Sequence, residues 1–352
     1  MKSGCLIALL SFCLVAYTGI VKSQDVHFSQ YYASPQLVNP ALTGVFNGGF
    51  RFAAQYRNQW RSVTPNTFST IAFSADMSLL KRSLGKDYVG IGINLFQDRA
   101  GDGNLGLTYA GFSMAYSKAL SRNTKQYLSF GAQFGFTQRK IDFEYLVFNS
   151  QYDGNTINGF STSREPLSKN RYFNWDNQIG LLWYMSPTDE INVFAGMSIA
   201  HLNRPNQSFY TNGDQPLFIK YTLHAGMELQ TTEQFHILPK LLVLKQGPSQ
   251  EINIGATTRL VPNPHNHGFV NSFYGGVMYR FSNFTSHDAI IFLAGGEYRR
   301  INFGLTFDMN VSRLVEASYS VGGPELSITY ILPSGKLGGS NNTRYCPDGI
   351  NF

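Results

Sequence analysis

The sequence predicts an all-β protein: a closed antiparallel transmembrane β-barrel of about fourteen strands. Three observations carry that reading. Of 352 residues only 14% are charged, against about a quarter in soluble globular domains, while 43% are hydrophobic and 14% aromatic. Apolar residues recur at every second position over segments of nine to eleven residues. After the first two dozen residues no run holds eighteen consecutive apolar side chains, so a membrane would be crossed by strands rather than helices. The same composition excludes intrinsic disorder, which needs low hydrophobicity and high charge.

The elements follow in chain order. Lys2 opens a short basic region, Cys5 to Val21 is apolar, and Val21-Lys22-Ser23 offers a cleavage site, so residues 1–23 read as a secretory signal peptide. The polar Ser, Thr and Gly inside the run, and its length, argue against an uncleaved anchor; Phe12 before Cys13 argues against lipidation. Without residues 1–23 the chain keeps 26 basic and 22 acidic residues, a net +4. Basic residues pair only locally, as in Lys81-Arg82 and Arg299-Arg300, which excludes a nucleic-acid partner. Cys346 is then the only cysteine, too few for an internal disulfide.

Residues 24–49 lack alternation and contain Pro35 and Pro40, with turn signals at Asn39-Pro40 and Thr43-Gly44. They are expected to form a plug or a periplasmic brace for a barrel built from residues 50–332. Alternation then begins. Val89, Ile91, Ile93 and Leu95 face one way, and Gly90, Gly92 and Asn94 the other. Leu128, Phe130, Ala132, Phe134 and Phe136 oppose Ser129, Gly131, Gln133, Gly135 and Thr137. Ile252, Ile254, Ala256 and Leu260, then Ile301, Phe303, Leu305, Phe307 and Met309, repeat the pattern. Sandwich strands are commonly five or six residues long, whereas these have the length of a tilted membrane strand. Aromatics near strand ends (Tyr56 and Trp60, Tyr109 and Tyr116, Trp175 and Trp183) suggest interfacial girdles.

The expected strands are 50–60, 67–79, 87–97, 105–119, 126–138, 173–185, 191–202, 220–231, 235–245, 250–260, 272–282, 288–298, 301–310 and 324–332. An even number places both ends of the barrel in the periplasm and the long connections, 139–172 and 203–219, outside. The connection 261–271 is long for an inner turn. In the last strand Leu326, Ile328, Tyr330 and Leu332 would face lipid, and it must pair with the first, since lipid satisfies no open edge. Residues 333–352 are expected to be a periplasmic tail.

Chemistry is sparse. Ser198, His201 and Asn203 are the residue types of a nucleophilic hydrolase, but a His at a strand end is more often an interface residue. His265 and His267 lack a third metal ligand nearby. Asp98 to Asn104 lacks the spacing and terminal Glu of a calcium loop and reads as a hairpin turn. Neither catalysis nor a cofactor is expected. Asp76, Asp308 and Glu325, paired with Arg51, Arg57 or Arg259, would form a charged network holding a plug.

Several stretches carry a family resemblance: Phe28-Ser29-Gln30-Tyr31-Tyr32, Asn39-Pro40-Ala41-Leu42-Thr43-Gly44, Tyr56-Arg57-Asn58-Gln59-Trp60, Gly196 to Asn206 with His201 and Asn203, Phe307 to Asn310, and Gly322-Gly323-Pro324-Glu325. Together they resemble the PorP/SprF family of type IX secretion proteins of the Bacteroidetes. Pro324 stands where the family more often carries His. The resemblance implies an outer-membrane barrel serving export or surface anchoring of a partner, such as a large gliding adhesin with a type B C-terminal sorting domain. It also implies contact with periplasmic ring lipoproteins of the secretion apparatus.

The residues add a mechanism. The loop around 142–172 carries Phe143, Tyr145, Phe148, Tyr152, Phe160 and Tyr172, and aromatics of this kind dominate binding hot spots. They either dock the partner or pack over the barrel mouth. A passive channel or hydrophobic-solute transporter shares the barrel but needs an open lumen; a hydrolase needs a triad that the sequence does not supply.

Overall fold

A strand in lipid can satisfy its backbone only through its neighbours, and the last of a set only through the first. The computed structural model describes residues 25–332 apart from 81–83, 122–124, 147, 149–150, 153–168, 189, 211–212, 263–269, 284–285 and 313–314, and it closes in this way. Its strands are β1 (Phe50–Gln59), β2 (Phe68–Leu79), β3 (Tyr88–Ala100), β4 (Leu105–Ala119), β5 (Lys125–Lys140), β6 (Arg171–Ser186) and β7 (Ile191–Ala200). There follow β8 (Lys220–Gln230), β9 (Phe235–Gln246), β10 (Ser249–Leu260), β11 (Val270–Ser282), β12 (Ser286–Tyr298), β13 (Ile301–Asn310) and β14 (Val321–Leu332). Sequence neighbours pair antiparallel, and β1 pairs β14 from Phe50–Leu332 to Arg57–Glu325. No helix among the described residues is long and apolar enough to cross a membrane. The expected signal peptide, the tail with Cys346, Phe160, and the His265/His267 pair lie outside the described residues.

About fourteen strands are expected, and fourteen form among the described residues. Bounds move by a few residues: β3 runs on to Ala100, β5 to Lys140, and β14 starts at Val321. Pro324 lies inside β14 opposite Phe307, beside a register shift at Asp308/Met309, the kind of irregularity where a residue without an N–H is tolerated.

Burial is inverted relative to a soluble protein. Phe112, Phe130, Phe134, Ile254, Leu305 and Leu326 are exposed, whereas Asn94, Ser113, Ser129, Gln133, Asn253 and Thr306 are buried in the lumen. An apolar side chain loses nothing by facing hydrocarbon, while a polar one must find a hydrogen-bond partner inside. Tyr56, Tyr116 and Trp175 face outward, Trp175 with 69% of its surface exposed. Tyr109 does not, against expectation. An odd spacing puts it on the opposite face of β4 from Tyr116; it is buried and accepts a hydrogen bond from Gln133 Nε2 at 2.6 Å.

The described parts of the long connections 141–170 and 201–219 lie at one end; the start of β1, the end of β14 and the tight Arg299-Arg300 turn lie at the other. In barrels of this type the first end is the outer mouth and the second is periplasmic. The buried apolar core lies inside the lumen near the periplasmic end, where Ala41, Leu42 and Val45 meet Leu182 and Tyr184 of β6, with Tyr127 and Phe194 packed against them.

Candidate functional site in the barrel lumen

Residues 25–49 show no strand alternation because their partners are wall side chains rather than a neighbouring ladder. Locally they are a chain of short turns. A 3-10 turn at Tyr31–Ala33 leads to a single helical turn at Pro35–Val38 that opens on proline, which has no amide hydrogen to strand there. A second 3-10 turn, Pro40–Leu42, is capped by Asn39, whose Oδ1 accepts from the Ala41 amide at 2.9 Å. The segment descends the lumen from the outer mouth to the periplasmic end.

At the mouth, Asp25 bonds His201 Nε2 at 2.6 Å and Lys220 Nζ at 2.8 Å, and its amide donates to Gln246 Oε1 at 3.1 Å. The other ring nitrogen of His201 meets Asp176 Oδ2 at 2.9 Å. Below, the amides of Ser29 and Gln30 donate to the two Glu325 carboxylate oxygens, both at 2.8 Å, and Gln55 Nε2 donates to Glu325 Oε1 at 2.7 Å. Ser29 Oγ donates to Asp308, which also binds Arg57 at 3.1 Å and Arg280 at 2.9 Å. Midway, Lys240 lies 3.9 Å from the centre of the Tyr32 ring, and Asn39 Nδ2 reaches the Leu181 and Met197 carbonyls and His224. Lowest, Arg51 pairs with Asp76 at 2.8 Å and stacks on Phe46, while the Gly44 amide donates to Asp76 Oδ2 at 2.7 Å. All these carboxylates and guanidiniums have partners, which is how charge survives in a lumen largely withdrawn from water.

Two electrostatic shifts belong to the outer latch, beyond the strands. Burial opposes the Asp25 carboxylate, but Lys220 and His201 overcome it and hold the group well below the usual range. Burial likewise depresses the His201 imidazole, yet Asp25 and the Asp176 hydrogen bond prevail and raise it to about 9. A histidine raised above its ordinary 6.5 contributes stability that is complete below 6.5 and lost as pH passes 9. Asp25, being depressed, loses its contribution at acid pH. The latch is thus strongest between about 4 and 6.5. Urea unfolding in detergent should show wild-type stability falling from pH 6.5 towards pH 9.5, and His201→Gln should flatten that slope. Parallel pH profiles would sink this account.

The glycines of the inner face have a specific cause. Gly90 and Gly131 face the passing backbone at Thr43–Gly44 and Pro40–Ala41, and a Cβ on either would overlap it. Gly44 itself has a φ of +75°. Gly131→Leu should therefore displace the segment at a cost of about 1–3 kcal/mol and expose residues 25–49 to added protease. Unchanged digestion and unfolding would contradict the fit.

Of the motif residues singled out in the sequence, Gln30, Asn39, Pro40, Gly44, Arg57, His201 and Glu325 converge on this lumenal contact. Trp60 and Asn203 do not. Trp60, at φ 61°, packs edge-on against Phe68 beyond β1, and Asn203 donates to the Trp175 carbonyl at 2.6 Å, strapping the rim. Ser198 donates to the Val38 carbonyl at 2.6 Å while His201 is held between two carboxylates, so Ser198, His201 and Asn203 are not assembled as a nucleophile and its base. Asp98 accepts from Thr70 and Asp102 from Asn66, and among the described residues no group of acidic, His or Cys side chains is arranged for a metal ion. The ion pairs Arg51–Asp76 and Arg57–Asp308 form as the charge pattern suggested, but Arg259 pairs instead with Glu297 and Glu228. Asp25, Asp176, Lys220 and Arg280 join this contact without being among the sequence candidates. For Arg280 the available signal was a charge at an inward position of β11, opposite Asn253.

The loop aromatics divide. Phe143 and Tyr172 pack on Phe209 of the 201–219 connection, with ring centres 6.5 and 4.9 Å away. Phe148 is half-buried, whereas Tyr145 and Tyr152 are 65% and 52% exposed at the mouth.

Among solved structures the chain is similar to the toluene transporter TbuX of Ralstonia pickettii, with 11% identity, TM-score 0.46, and coverage of 84% of this chain and 92% of that one. It is also similar to the monoaromatic hydrocarbon channel CymD, with 11% identity, TM-score 0.48, and coverage of 86% and 93%. The toluene transporter TodX of P. putida stands at 9% identity, TM-score 0.44, and coverage of 85% and 94%. No curated protein matches. The family model of the type IX secretion system membrane protein PorP/SprF matches residues 20–330. With that match over nearly all of an outer-membrane barrel, the chain belongs to the PorP/SprF family of type IX secretion system membrane proteins.

Proposed function

We propose that this barrel is an outer-membrane station of type IX secretion that supports the export or surface retention of one partner protein and passes no solute itself. The observation that carries the reading is the family match over residues 20–330, joined to a lumen through which residues 25–46 run hydrogen-bonded to the wall. In this proposal the N-terminal segment is a plug. A passive channel or hydrophobic-solute transporter would need a clear path, and the hydrogen bonds from Asp25 down to Gly44 lie across it.

The partner is a secreted surface protein, an adhesin with a type B sorting domain, held at the outer mouth. Tyr145 and Tyr152 offer exposed aromatic area there, while Phe143 and Tyr172 brace the loop from below. Periplasmic ring lipoproteins of the apparatus meet the opposite end. Deleting residues 146–168 should leave a folded, heat-modifiable barrel and abolish co-purification of the adhesin, and Tyr145→Ala with Tyr152→Ala should weaken it by about tenfold or more. Undiminished co-purification from the deletion would refute docking through this loop.

A further inference from the structure

The outer wall presents a row of cations just above its lipid-facing band. Strands β3, β4, β5 and β6 have 13, 15, 16 and 16 residues and rise towards the outer mouth. In register, Leu95, Ala110, Phe136 and Trp175 form one row across them. The next row outward is Gln97, Thr108, Gln138 and Phe173, and the next is Arg99, Gly106, Lys140 and Arg171. Alternate residues share a face, so the cations point the same way as Leu95, Phe136 and the exposed Trp175. Gly106 has no side chain, and a recess opens between Arg99 and Lys140, with Gln97, Thr108 and Gln138 as its floor and Asp142 at its edge.

We propose that this rim binds the phosphorylated headgroup of an outer-leaflet glycolipid. From the membrane outward the wall of β3, β4 and β5 reads apolar, then amide and hydroxyl, then cationic, with Phe173 extending the apolar band on β6; this is the order of acyl chain, sugar and phosphate in such a lipid. Strands lie about 4.8 Å apart, so the row from Arg99 to Arg171 spans roughly 14 Å, wide enough for more than one phosphate. Arg99 and Arg171 make no ion pair among the described residues, and Lys140 meets only Asp142, at 2.6 Å. Guanidinium and ammonium groups at a membrane surface hold phosphate by charge-assisted hydrogen bonds. The inference requires the outer-membrane orientation and is independent of the secretion partner.

The test is native mass spectrometry of the full chain with bisphosphorylated lipid A, with the same lipid dephosphorylated, and with inorganic phosphate as competitor. The combined variant Arg99→Gln, Lys140→Gln, Arg171→Gln should retain lipid A about a hundredfold less well than wild type, since each lost charge-assisted contact costs severalfold or more. The dephosphorylated lipid should not distinguish the two proteins, and millimolar phosphate should not displace lipid A. Equal retention by the variant, equal retention of the dephosphorylated lipid, or full displacement by phosphate would each overturn the proposal. Asp142→Asn frees Lys140 and should raise retention; a fall or no change counts against the site and is readable even if the triple variant folds poorly.

Discussion

A chain lacking residues 25–45 is expected to form an ion-conducting pore where the full chain forms none. Porins of 16–18 strands enclose an aqueous channel, and fourteen strands enclose a lumen only somewhat narrower. Here that lumen is occupied by a segment whose hydrogen bonds run from Asp25 at the outer mouth to Gly44 near the periplasmic end. Removing it would leave Arg51, Arg57, Arg280, Asp76, Asp308 and Glu325 lining the wall, charged groups that water would hydrate readily. Planar-bilayer recording should show stepwise currents from the truncated chain and a silent trace from the intact one. A silent trace from a truncated barrel still folded by heat-modifiable migration would reject the plug role.

The second large effect is on stability. Asp308→Ala should destabilise the barrel by about 3–5 kcal/mol, because it strips the shared carboxylate from two buried guanidiniums, Arg57 and Arg280, and from Ser29 Oγ. Asp288→Ala is the comparison. Asp288 also pairs with Arg280, at 2.6 Å, but its side chain is 35% exposed, so its loss should cost no more than about 1 kcal/mol. Urea midpoints in detergent or lipid would separate the two variants. Equal midpoints would mean that the lumenal network contributes little beyond a surface pair.

The two predictions concern the same molecular feature, a polar interior that exists because lipid claims the apolar side of every strand. In a soluble domain the apolar faces would meet in the core and the charges would be hydrated. Here Ser29 finds Glu325 across 296 residues of sequence, and Arg51 finds Asp76 across one hairpin. Both contacts join groups that water cannot reach, and both tie the N-terminal segment into the wall or brace the strand beside it.

What the sequence alone determined is the barrel: its strand number, the pairing of its last strand with its first, and the side that meets lipid. These follow from period-two alternation, a local property, together with the rule that hydrocarbon satisfies no open edge. The inward direction of Tyr109 is likewise local, since its odd spacing from the outward Tyr116 puts the two on opposite faces of β4. The charges of the inner face, Asp76, Asp308, Glu325, Arg51 and Arg57, were legible as a group for the same reason, being polar residues in strands with one wet side. Tertiary structure alone decided the rest. It sent residues 25–49 through the lumen, put Asp25 between His201 and Lys220, drew Arg259 to Glu297 and Glu228, and split the loop aromatics between packing and exposure. A polar side chain in a crowded lumen has many chemically equivalent partners, and only the three-dimensional path of the chain selects among them.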